Sequence, residues 1–192
     1  MGCAKLTRND FALCKVRIVD YDARWPGLYK REAAKIRAGL GNRALRVEHV
    51  GSTSVPNLAA KPVIDVLVVV SDSRDEGEYT SALNRAGYEL RIREPEWHEH
   101  RMFKGSEPEV NLHVFSKGCI EITRMLLFRD WLRTRPADRN LYANTKRELA
   151  MKMWESVQAY ADAKTSVVED ILARAQADRA WMGDWRATES AR

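Results

Sequence analysis

The chain has 192 residues, 45% of them hydrophobic and 31% charged, a length for one well-buried core and a composition that excludes disorder throughout. Its formal net charge of +5 suits anionic partners such as nucleotides or phosphates, although Lys and Arg are spread along the chain and a solvated cationic surface explains the same number. Cys3, Cys14 and Cys119 lack the number and spacing of a disulfide framework or a zinc site, which favours reduced thiols.

Residues 1–15 read as a polar lead-in without the apolar segment of a signal peptide, and no apolar run approaches a membrane span. A cytoplasmic protein with no membrane partner is therefore expected. Val16–Val19 alternates apolar and charged side chains and predicts a short edge strand. Tyr21-Asp22 to Trp25-Pro26 turns into a helix that reaches about Leu40 and stops at Gly41-Asn42. Arg43–Val50 alternates as a strand, ends in Gly51-Ser52-Thr53-Ser54, and is followed by a helical turn at Val55–Leu58.

Val63–Val70 is the most apolar run and rich in β-branched residues, so it predicts a central strand covered on both faces. Asp75–Ala86 reads as a helix, Tyr88–Arg93 as a strand and Glu94–His100 as a polar loop. Arg101–Lys104 and Glu109–Phe115 suit an antiparallel pair joined through Gly105–Pro108. Helices follow at about Ile120–Arg133, Asp138–Trp154 and Ser156–Trp181. The expected fold class is α/β (α+β): a mixed sheet over 16–117 with flanking helices, then a helical part over 119–182. One domain covers 16–182 in this reading, with a frayed tail at 183–192.

Two features carry chemistry. Gly51 permits a tight backbone and close approach of a ligand, and the turn's N–H groups with the hydroxyls of Ser52, Thr53 and Ser54 can cradle a phosphate. An N-cap by Ser54 on the turn that begins at Val55-Pro56 is the other reading. Twelve residues further on, Asp65 sits inside Val63-Ile64-Asp65-Val66-Leu67-Val68-Val69-Val70. A carboxylate in so apolar a strand costs several kcal/mol to bury unless it is paired or meets a cation.

A Gly-Ser turn followed at this distance by a strand aspartate resembles the nucleotidyltransferase superfamily related to DNA polymerase β. There the turn holds a triphosphate and strand carboxylates hold Mg²⁺. The string Arg46-Val47-Glu48-His49-Val50-Gly51-Ser52-Thr53-Ser54-Val55-Pro56-Asn57-Leu58-Ala59-Ala60-Lys61-Pro62-Val63-Ile64-Asp65 is more specific and resembles the signature of the GrpB family, small bacterial proteins classed as nucleotidyltransferase-like. Tyr21-Asp22, Trp25-Pro26, Asn111-Leu112-His113-Val114, Phe128 to Arg133, Pro136, Tyr142, Lys146, Leu149, Tyr160 and Lys164 extend the likeness over most of the chain. One departure stands out. The superfamily's strand carries two acids with one apolar residue between them, and here the second position is Leu67.

The resemblance implies a nucleoside triphosphate bound with Mg²⁺ and transfer of a nucleotidyl or phosphoryl group to a small-molecule acceptor. Gly51, Ser52, Thr53 and Ser54 would grip phosphates, and Asp65 with Glu48 would hold the metal. His113 or Glu48 would complete the metal shell or act as base. Lys61, Arg129, Lys146 and Lys164 would supply positive charge. Lys146 and Lys164 interrupt the apolar stripes Tyr142–Met153 and Tyr160–Ala175, where snorkelling into water is the other explanation. His98 and His100 flank Glu99 in the predicted loop without a third zinc ligand at a usable spacing. The alternative function is a non-catalytic nucleotide-binding or accessory module, favoured by Leu67 and by GrpB-like domains fused to dephospho-coenzyme A kinase. Nucleic acid as a partner rests on the mild charge alone and is not expected.

Overall fold

The computed structural model describes residues 13–178. In chain order they form Cys14–Lys15 (β1), Trp25–Leu40 (α1), Arg46–Val50 (β2), Ile64–Val70 (β3), Thr80–Arg85 (α2), Glu89–Glu94 (β4), His100–Gly105 (β5), Val110–Ser116 (β6), Ile120–Thr134 (α3), Pro136–Ala150 (α4), Met153–Trp154 (β7), Val157–Asp162 (α5) and Thr165–Ala177 (α6). They divide into two compact units, one of Val19–Arg129 and one that takes the described residues on either side of it.

The first unit is built on a five-stranded mixed sheet of order β2-β3-β6-β5-β4. Strands β3 and β6 run parallel and every other pair antiparallel. The apolar run predicted as the central strand is β3, buried along its length except at half-buried Asp65. Helix α1 has Pro26 in its first turn, where a missing N–H breaks no helical bond, and ends at Gly41, whose φ of 57° few other residues adopt. Ile36 of α1 and Leu83 of α2 are fully buried in a core shared with Val47, Val66, Val68 and Leu112. Burial of each such side chain contributes roughly 1.5–3 kcal/mol.

Alternation along the strands sends these apolar residues to one face and a different set to the other. Cross-strand pairing lines up two rows on that second face. One runs Val50, Asp65, Asn111, Lys104, and the other Glu48, Leu67, His113, Met102.

In the second unit, Trp131 Nε1 donates to Asp138 Oδ2 at 2.6 Å and Arg174 Nη2 donates to Asp138 Oδ1 at 2.7 Å, tying α6 to the start of α4. No helix among the described residues is long and apolar enough to cross a membrane, and Cys14 and Cys119 carry free thiols.

Several predicted boundaries are corrected. Val16–Val19 is not a strand: Val19 makes one isolated bridge to Ala60, and the paired residues are Cys14–Lys15 with Met153–Trp154. That pairing also ends the predicted Asp138–Trp154 helix at Ala150. The helical turn expected at Val55–Leu58 falls at Ser52–Ser54, and the helix expected over Asp75–Ala86 keeps only Thr80–Arg85. The predicted Ser156–Trp181 helix breaks into α5 and α6, because the Lys164 N–H tightens onto the Ala161 carbonyl at 3.2 Å. Residues 1–12, the helix end beyond 178 and the tail at 183–192 lie outside the described residues.

Candidate functional site

The Gly51 turn is fastened from within. Gly51 has φ 66° and ψ −174°, a region essentially reserved for glycine. Ser54 Oγ donates to the Gly51 carbonyl at 2.6 Å, and Thr53 Oγ1 donates to the Val63 carbonyl at 3.1 Å. Thr53 also meets His49 Nε2 at 3.1 Å, and the His49 ring stacks on Tyr29 of α1 at 4.6 Å. Two of the three hydroxyls expected on a phosphate therefore shape the turn, while Ser52 stands half-buried at its first position.

Asp65 lies beneath this turn, opposite Val50. A β-carbon on Gly51 would stand 2.2 Å from Asp65 Oδ2, so only glycine leaves room for the carboxylate. Its other oxygen, Oδ1, accepts from Asn111 Nδ2 at 2.7 Å and faces His113 Nε2 at 3.7 Å. Burial pushes the carboxyl up, but the His113 ring and the Asn111 amide, with charge from His49, more than reverse it and hold Asp65 below the usual carboxylate range. The Asn111 oxygen accepts in turn from Lys104 Nζ. Burial first and neighbouring Lys61 second lower the Lys104 ammonium, against the pull of Glu109 and Asp65. Lys61 Nζ reaches Glu109 Oε1 at 3.4 Å.

Glu48 shares the face but is held elsewhere. Its Oε2 accepts from buried Arg129 Nη1 at 2.9 Å and its Oε1 from Arg46 Nε at 3.1 Å. Burial raises its carboxyl, yet the two arginines leave it below the ordinary value. Arg129 also donates to the His49 carbonyl at 3.0 Å. The pair Asp65 and Glu48 therefore does not suit a shared Mg²⁺, and no group of three or more His, Cys, Asp or Glu among the described residues is placed to hold a metal. The arrangement suits a cation that brings most of its oxygen ligands on phosphates and water and meets the protein at Asp65. Lys146 and Lys164 belong to the second unit, where each ammonium stands 4.5 Å from a ring centre, Tyr142 and Tyr160 respectively. Lys146 is buried, so snorkelling does not describe it.

The sequence reading put His100 in a loop, away from the site, and did not single out Lys104 or Glu94. His100 opens β5 instead of closing a loop, pairs with Glu94 across the hairpin, and puts Nε2 3.0 Å from His113 Nδ1. Period-two alternation carried back from Lys104 through Met102 would have found it on the His113 face.

A sequence profile of the family described as GrpB protein matches residues 15–174. A UPF0157 protein of Halalkalibacterium halodurans is 60% identical over 162 residues, covering 84% of this chain and 83% of that protein. The crystal structure of GrpB from Enterococcus faecalis is similar with a TM-score of 0.72 at 32% identity, covering 83% of this chain and 96% of that one. A dephospho-CoA kinase of Mycolicibacterium paratuberculosis is 29% identical, and the matched stretch takes in 88% of this chain but 48% of the kinase. With a profile match over residues 15–174 and a relative 60% identical over most of both chains, the chain belongs to the GrpB family.

Proposed function

We propose that this protein binds a nucleotide or another phosphorylated small molecule at the Gly51 turn and Asp65, and transfers a nucleotidyl or phosphoryl group from it to a small acceptor. The observation that carries this reading is Asp65, a carboxylate held below the usual carboxylate range on an otherwise apolar strand and packed directly against a glycine. Lys61 and Lys104 supply cationic charge near the Asp65–Asn111 pair, and Ser52 opens the turn. His113 stands where a proton leaving an acceptor hydroxyl could be taken up. Mg²⁺ arriving on the ligand's phosphates would neutralise their charge and meet the protein at Asp65. Positioning and charge neutralisation carry most of the rate in such transfers, which this inventory suits.

A second reading, binding without transfer, is favoured by Leu67 at the second acidic position and by the arginines that hold Glu48. The dephospho-CoA kinases that match this chain over about half of their length accord with an accessory role.

Calorimetric titration with ATP, with and without Mg²⁺, on the native chain and Asp65→Ala tests the first reading. Tighter binding with Mg²⁺, lost in Asp65→Ala, is expected. Binding indifferent to both the metal and Asp65 would sink the catalytic reading. Incubation with labelled nucleotide and candidate acceptors then separates transfer from binding alone.

A further inference from the structure

The hairpin β4–β5 turns through His98 and Glu99, both at positive φ (56° and 51°), which few non-glycine residues adopt. This turn sets Glu94 opposite His100, with Glu94 Oε2 2.6 Å from His100 Nδ1. The His100 ring is 5% exposed and stacks on Phe115 at 4.7 Å, with Trp97 edge-on at 5.3 Å. Its Nε2 then meets His113 Nδ1 at 3.0 Å, and His113 Nε2 faces Asp65 Oδ1 at 3.7 Å. Two carboxylates thus bracket two imidazoles in one line.

We propose that Glu94 and His100 are positioning residues that fix the tautomer of His113, so that its Nε2 is the exchangeable nitrogen presented to Asp65 and the ligand. This rests on the reading of His113 as a working group of the Asp65 site. An ionised glutamate only accepts hydrogen bonds, so the proton between Glu94 and His100 lies on His100 Nδ1. In the neutral ring, packed against Phe115 and Trp97, that is the single proton. Its Nε2 is then an acceptor, and the donor across the 3.0 Å contact is His113 Nδ1–H. In the ring with a single proton the second nitrogen of His113 is left with its lone pair toward the site, and the contact that lowers Asp65 belongs to the ring once Nε2 has taken up a proton. Which imidazole nitrogen is protonated is set by the bond the other makes. A ligand hydroxyl held there breaks its O–H bond, the proton passes to Nε2 and the electron pair stays on oxygen. Asp65 matches the charge of the imidazolium so formed.

The test is ¹⁵N NMR of the full chain with labelled histidines at about pH 9, above the ordinary histidine pKa of roughly 6.5. The chain has four histidines, and the signals lost in His113→Asn assign the ring. The native chain is expected to show a pyrrole-type Nδ1 and a pyridine-type Nε2 at His113. In Glu94→Ala and in His100→Phe, which keeps an aromatic ring against Phe115, the two signals should move toward each other or exchange places. A native His113 protonated at Nε2 overturns the proposal, and so does an unchanged pattern in Glu94→Ala. The Glu94 side chain is 44% exposed, so that variant remains informative if His100→Phe does not fold. ATP titration of the same samples separates the two readings: the expected tautomer pattern without ATP binding supports the positioning role and removes the nucleotide.

Discussion

The Asp65 carboxylate rests directly against Gly51, leaving no space for a side chain between strand and turn. An added β-carbon would stand 2.2 Å from Oδ2, 2.8 Å from Cγ and 2.9 Å from Cβ of Asp65. Gly51→Ala therefore meets two obstacles, a backbone region costing about 1–3 kcal/mol for other residues and a carboxylate that must leave its Asn111 bond. The expected result is a melting temperature lower by several degrees together with loss of ATP binding. A variant with native melting and native binding would show that the contact constrains nothing.

Acid should weaken the protein in two stages. Folded His100 titrates at about 4 against an ordinary 6.5, so the stability it adds is complete above pH 6.5 and drains between pH 6.5 and 4. At about 1.4 kcal/mol per pH unit the loss is on the order of 3 kcal/mol. Asp65 and Glu48 also sit below their ordinary values of 3.8 and 4.5, so their contributions hold above those values and vanish as pH falls through the folded ones. Melting temperature measured against pH should slope through the first window in the native chain and flatten there in His100→Phe. Equal slopes would remove His100 as the cause.

How much of this was legible in the sequence differs from residue to residue. Val63–Val70 announced a strand buried on both faces, and β3 is that strand, because a β-branched run of this length has few other solutions. Asp65 and Gly51 were legible as a pair through their spacing and the GrpB-like string, yet their direct contact depends on the β2–β3 register, which periodicity alone does not fix. Glu48 was expected on a metal, but its partners Arg46 and Arg129 come from the neighbouring strand position and from a helix 81 residues away. His100 was hidden by the polar run around it. Glu94 to His100 has the composition of a loop, and only the pairing of β4 with β5 makes its last residue a buried strand position.

Glu48→Ala separates holding Arg129 from holding a metal. The Arg129 side chain is 5% exposed, and loss of its carboxylate partner leaves a buried cation with poorer compensation. Fully buried pairs cost about 3–5 kcal/mol to break, and Glu48, being 23% exposed, should fall near 2–3 kcal/mol. A urea midpoint lowered by that amount, with Mg²⁺-dependent ATP binding retained, is expected. If ATP affinity instead collapses as it should in Asp65→Ala while stability stays native, Glu48 belongs to the metal after all.

Leu67→Asp puts the missing second acid back into the strand, one residue beyond Val66. Leu67 is fully buried between Glu48 and His113 in its row, so the new carboxylate meets a like charge on one side and loses the packing of leucine. Lost burial and an uncompensated charge together should cost about 3–5 kcal/mol. A divalent cation that binds the folded state alone restores stability by mass action, as RT ln(1 + [L]/Kd). Melting of Leu67→Asp should therefore rise with added Mg²⁺ in the absence of nucleotide, while the native chain and the uncharged Leu67→Asn do not respond. Equal responses in all three would mean that the cation acts elsewhere on the surface. Recovery confined to Leu67→Asp would show that the face has the geometry of a two-carboxylate site, with Leu67 standing at its second acidic position.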